Sequence, residues 1–80
     1  MRIHITKTDI KEGIRNDAYW CPVARAIRRQ FKLKARDSVR VDGDIWICHV
    51  FYLMPKKVSN FVDAFDYDGK GKPFSFSLEE

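Results

Sequence analysis

Tyr19-Trp20-Cys21-Pro22-Val23-Ala24-Arg25-Ala26-Ile27-Arg28-Arg29-Gln30-Phe31-Lys32 reads as one amphipathic helix with a cysteine at its mouth. Pro22 suits the first helical position, where a missing N–H costs nothing, and that makes Cys21 the N-cap residue. Trp20, Ala24, Ile27 and Phe31 recur at i, i+4, i+7 and i+11 and form one apolar face. Arg25, Arg28, Arg29 and Lys32 share the opposite face. The segment thus carries a core stripe, a basic stripe and a thiol beside a helix N-terminus.

Upstream, Met1 to Ile5 alternates as a strand, with Ile3 and Ile5 on one face and Arg2 and His4 on the other. Thr6 and Asp9 stand at capping-box spacing and predict a short helix, with Ile10 and Ile14 as its apolar contacts. Gly13 is its expected stop, and Arg15-Asn16-Asp17 a turn. Downstream, Leu33 to Ser38 is a charged connection and Val39-Arg40-Val41 a strand. Asp42-Gly43-Asp44 turns a hairpin, because Asp-Gly tolerates positive φ. The partner strand is expected to run from Ile45 to Met54. Ile45, Ile47, Phe51 and Leu53 fall on one face, and Trp46, Cys48, Val50, Tyr52 and Met54 on the other. A strand apolar on both faces is central in its sheet or covered by a partner.

Pro55 opens a third helix. Val58, Phe61, Val62 and Phe65 are spaced as its buried stripe, and Lys56 and Lys57 lie in its first turn, against the dipole. Asp66 to Lys72 reads as a loop, and Pro73 to Leu78 as a closing strand with Phe74, Phe76 and Leu78 inward. The order is β-α-α-β-β-α-β. This predicts a two-layer α+β fold: a mainly antiparallel sheet of about four strands with helices on one face. The outer sheet face would then carry Arg2, His4, Arg40, Ser75 and Ser77.

The chain has 80 residues, 45% of them hydrophobic and 32% charged, which suits one domain spanning 1–80. A net charge of +4 and a pI near 9.3 favour anionic partners such as nucleic acid or acidic protein patches. No run is long enough to span a bilayer. The N-terminus lacks the apolar core of a secretory signal, and two cysteines in such a chain suit a reduced cytoplasm.

The basic set leads the functional candidates: Arg25, Arg28, Arg29 and Lys32, followed by Lys34, Arg36 and Arg40. Set against this, arginines late in a helix complement its dipole and are ordinarily solvated. Trp46 and Tyr52, if turned outward, would add aromatic rings for stacking on bases or for an interface. The strand Ile45 to Met54 is also the candidate contact of a homodimer, since so short a chain has little to cover a second sheet face. Cys21 could ionise readily at a helix N-terminus, but no base is placed beside it by the sequence, and buried structural cysteine is the commoner role. Cys21, Cys48, His4 and His49 lack the paired spacing of a zinc site. Asp63, Asp66 and Asp68 with Gly69 miss the spacing of a calcium loop. Neither a metal nor a cofactor is expected.

Taken together, Ile5-Thr6, Ile10, Gly13, Cys21-Pro22-Val23-Ala24, Ala26-Ile27, Leu53-Met54-Pro55, Val58, Phe61, Asp66 and Pro73-Phe74-Ser75-Phe76 span nearly the whole chain. On these residues the sequence resembles small proteins encoded by bacteriophages and prophages. The resemblance implies a host-cytoplasmic setting and a non-enzymatic accessory role against host machinery, and brings no catalytic motif with it. The leading expectation is a protein that occupies a host target, such as a defence or nucleic-acid-processing component, through the basic helix face. Charge reversal at Arg25, Arg28 and Arg29 is then expected to abolish binding without unfolding. Direct nucleic-acid binding is the second expectation, and a thiol enzyme on Cys21 the third.

Overall fold

The computed structural model describes residues 1–79. The elements run β1 (Arg2–Ile5), α1 (Lys7–Glu12), α2 (Pro22–Gln30), β2 (Val39–Asp42), β3 (Asp44–Ile47), β4 (Val50–Tyr52), α3 (Lys56–Asp68) and β5 (Phe74–Ser77). This is the expected α+β class with antiparallel pairing throughout. The strands divide into two sheets, β1–β5 and β2–β3–β4, and the second has one strand more than the sequence pattern suggests.

The extra strand comes from a turn within the run Ile45 to Met54. Cys48 and His49 both adopt positive φ, 48° and 72°, and Ile47 pairs directly with Val50. That is the two-residue hairpin in which both central residues are left-handed. Neither Asn nor Gly marks it, so the run reads as one strand. The turn also reverses the expected alternation. Trp46 now lies opposite Phe51, and Ile45 opposite Tyr52. Tyr52, expected outward, packs against the core instead.

Both early helices start as their sequences dictate. Thr6 Oγ1 accepts from Asp9 N at 3.2 Å, and Asp9 Oδ2 accepts from Thr6 N at 2.9 Å. Cys21 is the N-cap of α2, with Pro22 in its first turn. Gly13 ends α1 in an extended rather than left-handed conformation, so its conformational freedom is not what the site needs. A Cβ there would come within 2.6 Å of the Pro22 ring. Gly13 is required because α2 starts in contact with it. Ile14, expected to pack, is exposed.

Helix α2 ends two residues earlier than its apolar spacing suggests. Leu33 N donates to Arg28 O at 2.8 Å and Lys32 N to Arg29 O at 3.2 Å, the paired bonds of a Schellman ending. Lys32 fills its left-handed position at φ 56°, where glycine is usual. Helix α3 runs on to Asp68 and stops at Gly69, φ 75°. Its last turn has no basic residue of its own. Arg15 supplies the cation from the α1–α2 loop, donating through Nη2 to the carbonyls of Asp66, at 3.0 Å, and Tyr67. This placement compensates the α3 dipole.

The core lies between α2 and the sheets. Val23, Ala24, Ala26 and Ile27 of α2 meet Ile3 and Ile5, Val39 and Val41, Ile45 and Ile47, and Phe76, all buried. Helix α2 packs against both β1 and β2 and so bridges the two sheets. Val58 and Phe65 turn α3 inward, and Phe61 packs against Phe74 of β5, centroids 4.8 Å apart. The outer face of β1–β5 carries Arg2, His4, Ser75 and Ser77 as expected. Arg2 Nη1 donates to Ser77 Oγ at 3.2 Å, and His4 Nδ1 lies 2.7 Å from Ser75 Oγ.

Candidate functional site

The basic helix face is built into the fold more than it faces solvent. Arg28 is only 7% exposed. Its Nε donates to Tyr19 O at 3.3 Å, and its Nη1 to Lys34 O at 3.2 Å and Asp37 O at 2.7 Å. The guanidinium carbon sits 4.4 Å from the Trp20 ring centroid, a cation–π arrangement. Helical spacing placed Arg28 opposite the apolar stripe. The chain before and after α2 folds back over Arg28 itself and encloses that side chain.

Arg29 is half exposed, yet its Nη2 donates to Asp9 Oδ2 at 2.8 Å and to His4 O at 2.9 Å. It neutralises the buried carboxylate of the α1 capping box. Arg25 reaches Glu12 at 3.4 Å, and its Nε is the one buried side-chain polar atom without a partner among the described residues. Reversing all three charges would break the ties of α2 to α1 and to both flanking loops, so this variant is expected to lose stability as well as surface charge.

The cations left uncommitted lie in the loop after α2. Lys32, Lys34 and Arg36 are exposed and form no ion pair among the described residues. The loop is nevertheless ordered by its own bonds. Lys34 N donates to Asp37 Oδ2 at 2.8 Å and Asp37 N to Lys34 O at 2.9 Å, while Arg28 ties both carbonyls to that of Tyr19. The Arg28 anchor thus holds the basic loop beside Tyr19.

Tyr19 leads to the second part of the surface. Ala18 O accepts from Val41 N at 2.8 Å, so this segment runs along β2. On the outer face of β2–β3–β4, Arg40 pairs across strands with Trp46, and Trp46 with Phe51. The two rings meet edge-on, centroids 5.0 Å apart at 67°. Trp46 is 37% exposed, Phe51 38% and Tyr19 49%. A shallow cavity of about 220 Å³ lies among Tyr19, Ser38, Arg40, Trp46 and His49. Arg40 also pairs with Asp42 at 2.9 Å, both exposed, and an exposed pair of this kind is weak and exchangeable.

Of the sequence candidates, the structure sets Arg40 beside Trp46, and the loop holding Lys32 and Arg36 leads into β2. The structure moves Arg25, Arg28 and Arg29 into internal contacts and Tyr52 against the core. Sequence reasoning missed Phe51, whose face is set by the unmarked Cys48–His49 turn, and Tyr19, whose position depends on the segment folding along β2.

Cys21 is buried and unpaired, and Cys48 is exposed and unpaired. Burial pushes the Cys21 thiol above its ordinary pKa, against the smaller opposing pull of the Ala24 and Val23 amides. Cys21 is thus the buried cysteine that the sequence favours over an activated thiolate, and desolvation outweighs the helix N-terminus. Among the described residues no three of His, Cys, Asp and Glu are grouped to hold a metal ion, and no helix is long and apolar enough to cross a membrane. No protein-family model matches this chain, no curated protein matches it in sequence, and no solved structure matches it.

Proposed function

We propose that this protein is a non-enzymatic binding module that takes single-stranded nucleic acid on the outer face of β2–β3–β4. The observation that carries this reading is the exposed Trp46–Phe51 pair beside Arg40, with Tyr19 and His49 around the same shallow cavity. Lys32, Lys34 and Arg36 lie in the adjoining loop. Single-strand binders without sequence preference combine these two parts: rings on which bases stack, and cations along the path of the backbone. Ile45 to Met54, the segment expected to join two copies, supplies both central rings.

Occupation of a host protein through the basic helix face fits less well, because Arg25, Arg28 and Arg29 have internal partners. In the phage-type setting that the sequence resembles, the bound strand would be an intermediate of nucleic-acid processing in the host cytoplasm. The module would act by covering it.

The test is a titration of labelled single- and double-stranded oligonucleotides over a salt series. Three to four phosphate contacts, from Lys32, Lys34, Arg36 and Arg40, give a slope of log K against log salt of roughly −2 to −3 for a single strand. The double variant Trp46→Ala/Phe51→Ala is expected to lose about tenfold or more in affinity, since each stacked base contributes about 1–3 kcal/mol. Absence of binding at low salt, a preference for duplex, or binding indifferent to both rings would overturn the proposal. The last two results would shift the loop cations to duplex phosphate or to an acidic protein surface.

A further inference from the structure

Beside α2 lies an open cavity of about 330 Å³, within the size range of small-ligand sites. Arg25, Arg28 and Arg29 line it, together with the Asp9 carboxylate and the apolar surfaces of Trp20 and Leu33. Positions 25, 28 and 29 are i, i+3 and i+4 of one helix, so their side chains gather on one side. The surface proposed for a nucleic-acid strand shares no residue with this cavity.

The internal bonds of these arginines hold the guanidinium groups in place without using all their donors. Arg28, 7% exposed, gives Nε and Nη1 to three carbonyls and leaves Nη2 with no partner among the described residues. Arg29 uses Nη2 alone, on Asp9 Oδ2 and His4 O. Arg25 uses Nη2 alone, on Glu12 Oε1, and its Nε is buried without a partner. A buried donor left unbonded is a standing cost, which a second acceptor for Arg25 would remove.

Charge narrows the ligand. Asp9, buried and 2.8 Å from Arg29, neutralises that residue. Arg28 meets only neutral carbonyls and the Trp20 ring. Arg25 faces Glu12 at 3.4 Å in an exposed pair that is weak and exchangeable. Two positive charges thus stand at one cavity without a buried counter-ion. A phosphate monoester carries a charge of about −1.5 to −2 at pH 7 and three acceptor oxygens. A phosphodiester or a carboxylate carries a single charge and leaves one guanidinium uncompensated.

We infer that this cavity binds a phosphate monoester, with the organic part of the ligand against Trp20 and Leu33. Arg25 exchanges Glu12 for the ligand and presents Nε and Nη2 side by side to two phosphate oxygens, the paired geometry in which a guanidinium grips phosphate. The same movement gives the buried Nε its missing acceptor. Arg28 Nη2 takes the third oxygen from a fixed position, because the carbonyls of Tyr19, Lys34 and Asp37 hold its guanidinium. The group occurs on free nucleotides and sugar phosphates and at the end of a strand, and the site reads the group.

Adenosine 5′-monophosphate, adenosine and cyclic adenosine 3′,5′-monophosphate test this, since they share a base and differ in the phosphate: monoester, none and diester. In titration calorimetry of the whole chain, the monophosphate is expected to bind about tenfold or more tighter than the other two. That advantage should fade as pH falls through about 6, where the second phosphate proton binds. Arg25→Ala, checked for wild-type circular dichroism, is expected to lose about tenfold or more in affinity, and Arg25→Lys to recover only part of it, because an ammonium offers no fork. On the unmodified chain, the Arg25 Nε–H resonance is expected to shift as the monophosphate is added. Trp46→Ala/Phe51→Ala is expected to bind the monophosphate like wild type, which separates this site from the strand surface. An oligonucleotide compared with and without a 5′-phosphate gives the source. A gain of about tenfold that Arg25→Ala abolishes assigns the site to strand ends, and equal affinities assign it to free monoesters. Equal affinity for the three adenosine compounds, no binding of the monophosphate at millimolar concentration, a folded Arg25→Ala that binds like wild type, or loss of binding in Trp46→Ala/Phe51→Ala would each overturn the inference.

Discussion

Replacing Arg28 with alanine tests most directly how this fold is held together. The side chain is 7% exposed and donates three hydrogen bonds to the carbonyls of Tyr19, Lys34 and Asp37. Hydrogen bonds from a charged group contribute about 1.5–3 kcal/mol each, and a partly desolvated cation–π contact with Trp20 adds about 1 kcal/mol. Truncation admits water to some of the freed carbonyls, so the net loss lies below that gross sum, at about 3 kcal/mol. A chain of this length has a total stability of about 4–12 kcal/mol. Arg28→Ala therefore removes a large fraction of it and lowers Tm by about 12–24 °C. Arg28→Lys is expected to recover less than half of the loss, because one ammonium cannot reach carbonyls on three segments. Arg25→Ala is the control, expected to lose less than about 1 kcal/mol because its partner Glu12 is exposed at 3.4 Å. Denaturant unfolding followed by circular dichroism measures all three. If Arg28→Ala costs no more than Arg25→Ala, the assignment of Arg28 as the anchor of both flanking loops is wrong.

Four further outcomes follow from single residues. Lys32→Gly is expected to raise stability by about 1 kcal/mol in the same denaturant assay, since Lys32 holds a left-handed conformation that costs a side-chain-bearing residue about that much. Gly13→Ala is expected to lose about 1–3 kcal/mol, because its Cβ would lie 2.6 Å from the Pro22 ring and would push α2 from its start; an unchanged unfolding midpoint would show that α1 can yield. In a thiol titration of the native protein, Cys48 is expected to react and Cys21 to react only on unfolding. The raised Cys21 pKa also gives a sign: its contribution is fully present below the thiol pKa of the unfolded chain and is lost as pH rises toward the higher folded value. Wild type should therefore lose stability more steeply than Cys21→Ala above about pH 8.5.

Much of the candidate surface was visible in the sequence as residue types and not as a place. Arg40 and Trp46 are legible as cross-strand neighbours because they flank the marked Asp42-Gly43-Asp44 turn. The face of Phe51 is not, because everything beyond Ile47 depends on one turn with no Asn or Gly in it. A single unmarked turn shifts the alternation for every residue after it. Arg28 presents the same problem on a helix: periodicity gives the face on which it stands, and only the path of the neighbouring loops shows whether that face is covered.

The sequence by itself determined the local structure. The Thr6–Asp9 capping box, the Pro22 start of α2, the stripe of Val58, Phe61, Val62 and Phe65, and the alternation of Phe74, Phe76 and Leu78 each depend on residues within one or two turns. Such preferences act before any distant contact forms. Only the tertiary structure decided the division into two sheets, the enclosure of Arg28, the pairing of Arg29 with the α1 cap and the closure of the β1 edge by Gln30, whose Nε2 donates to Arg2 O and whose Oε1 accepts from His4 N. Each of these joins segments separated by many residues, through hydrogen bonds whose partners no local pattern specifies.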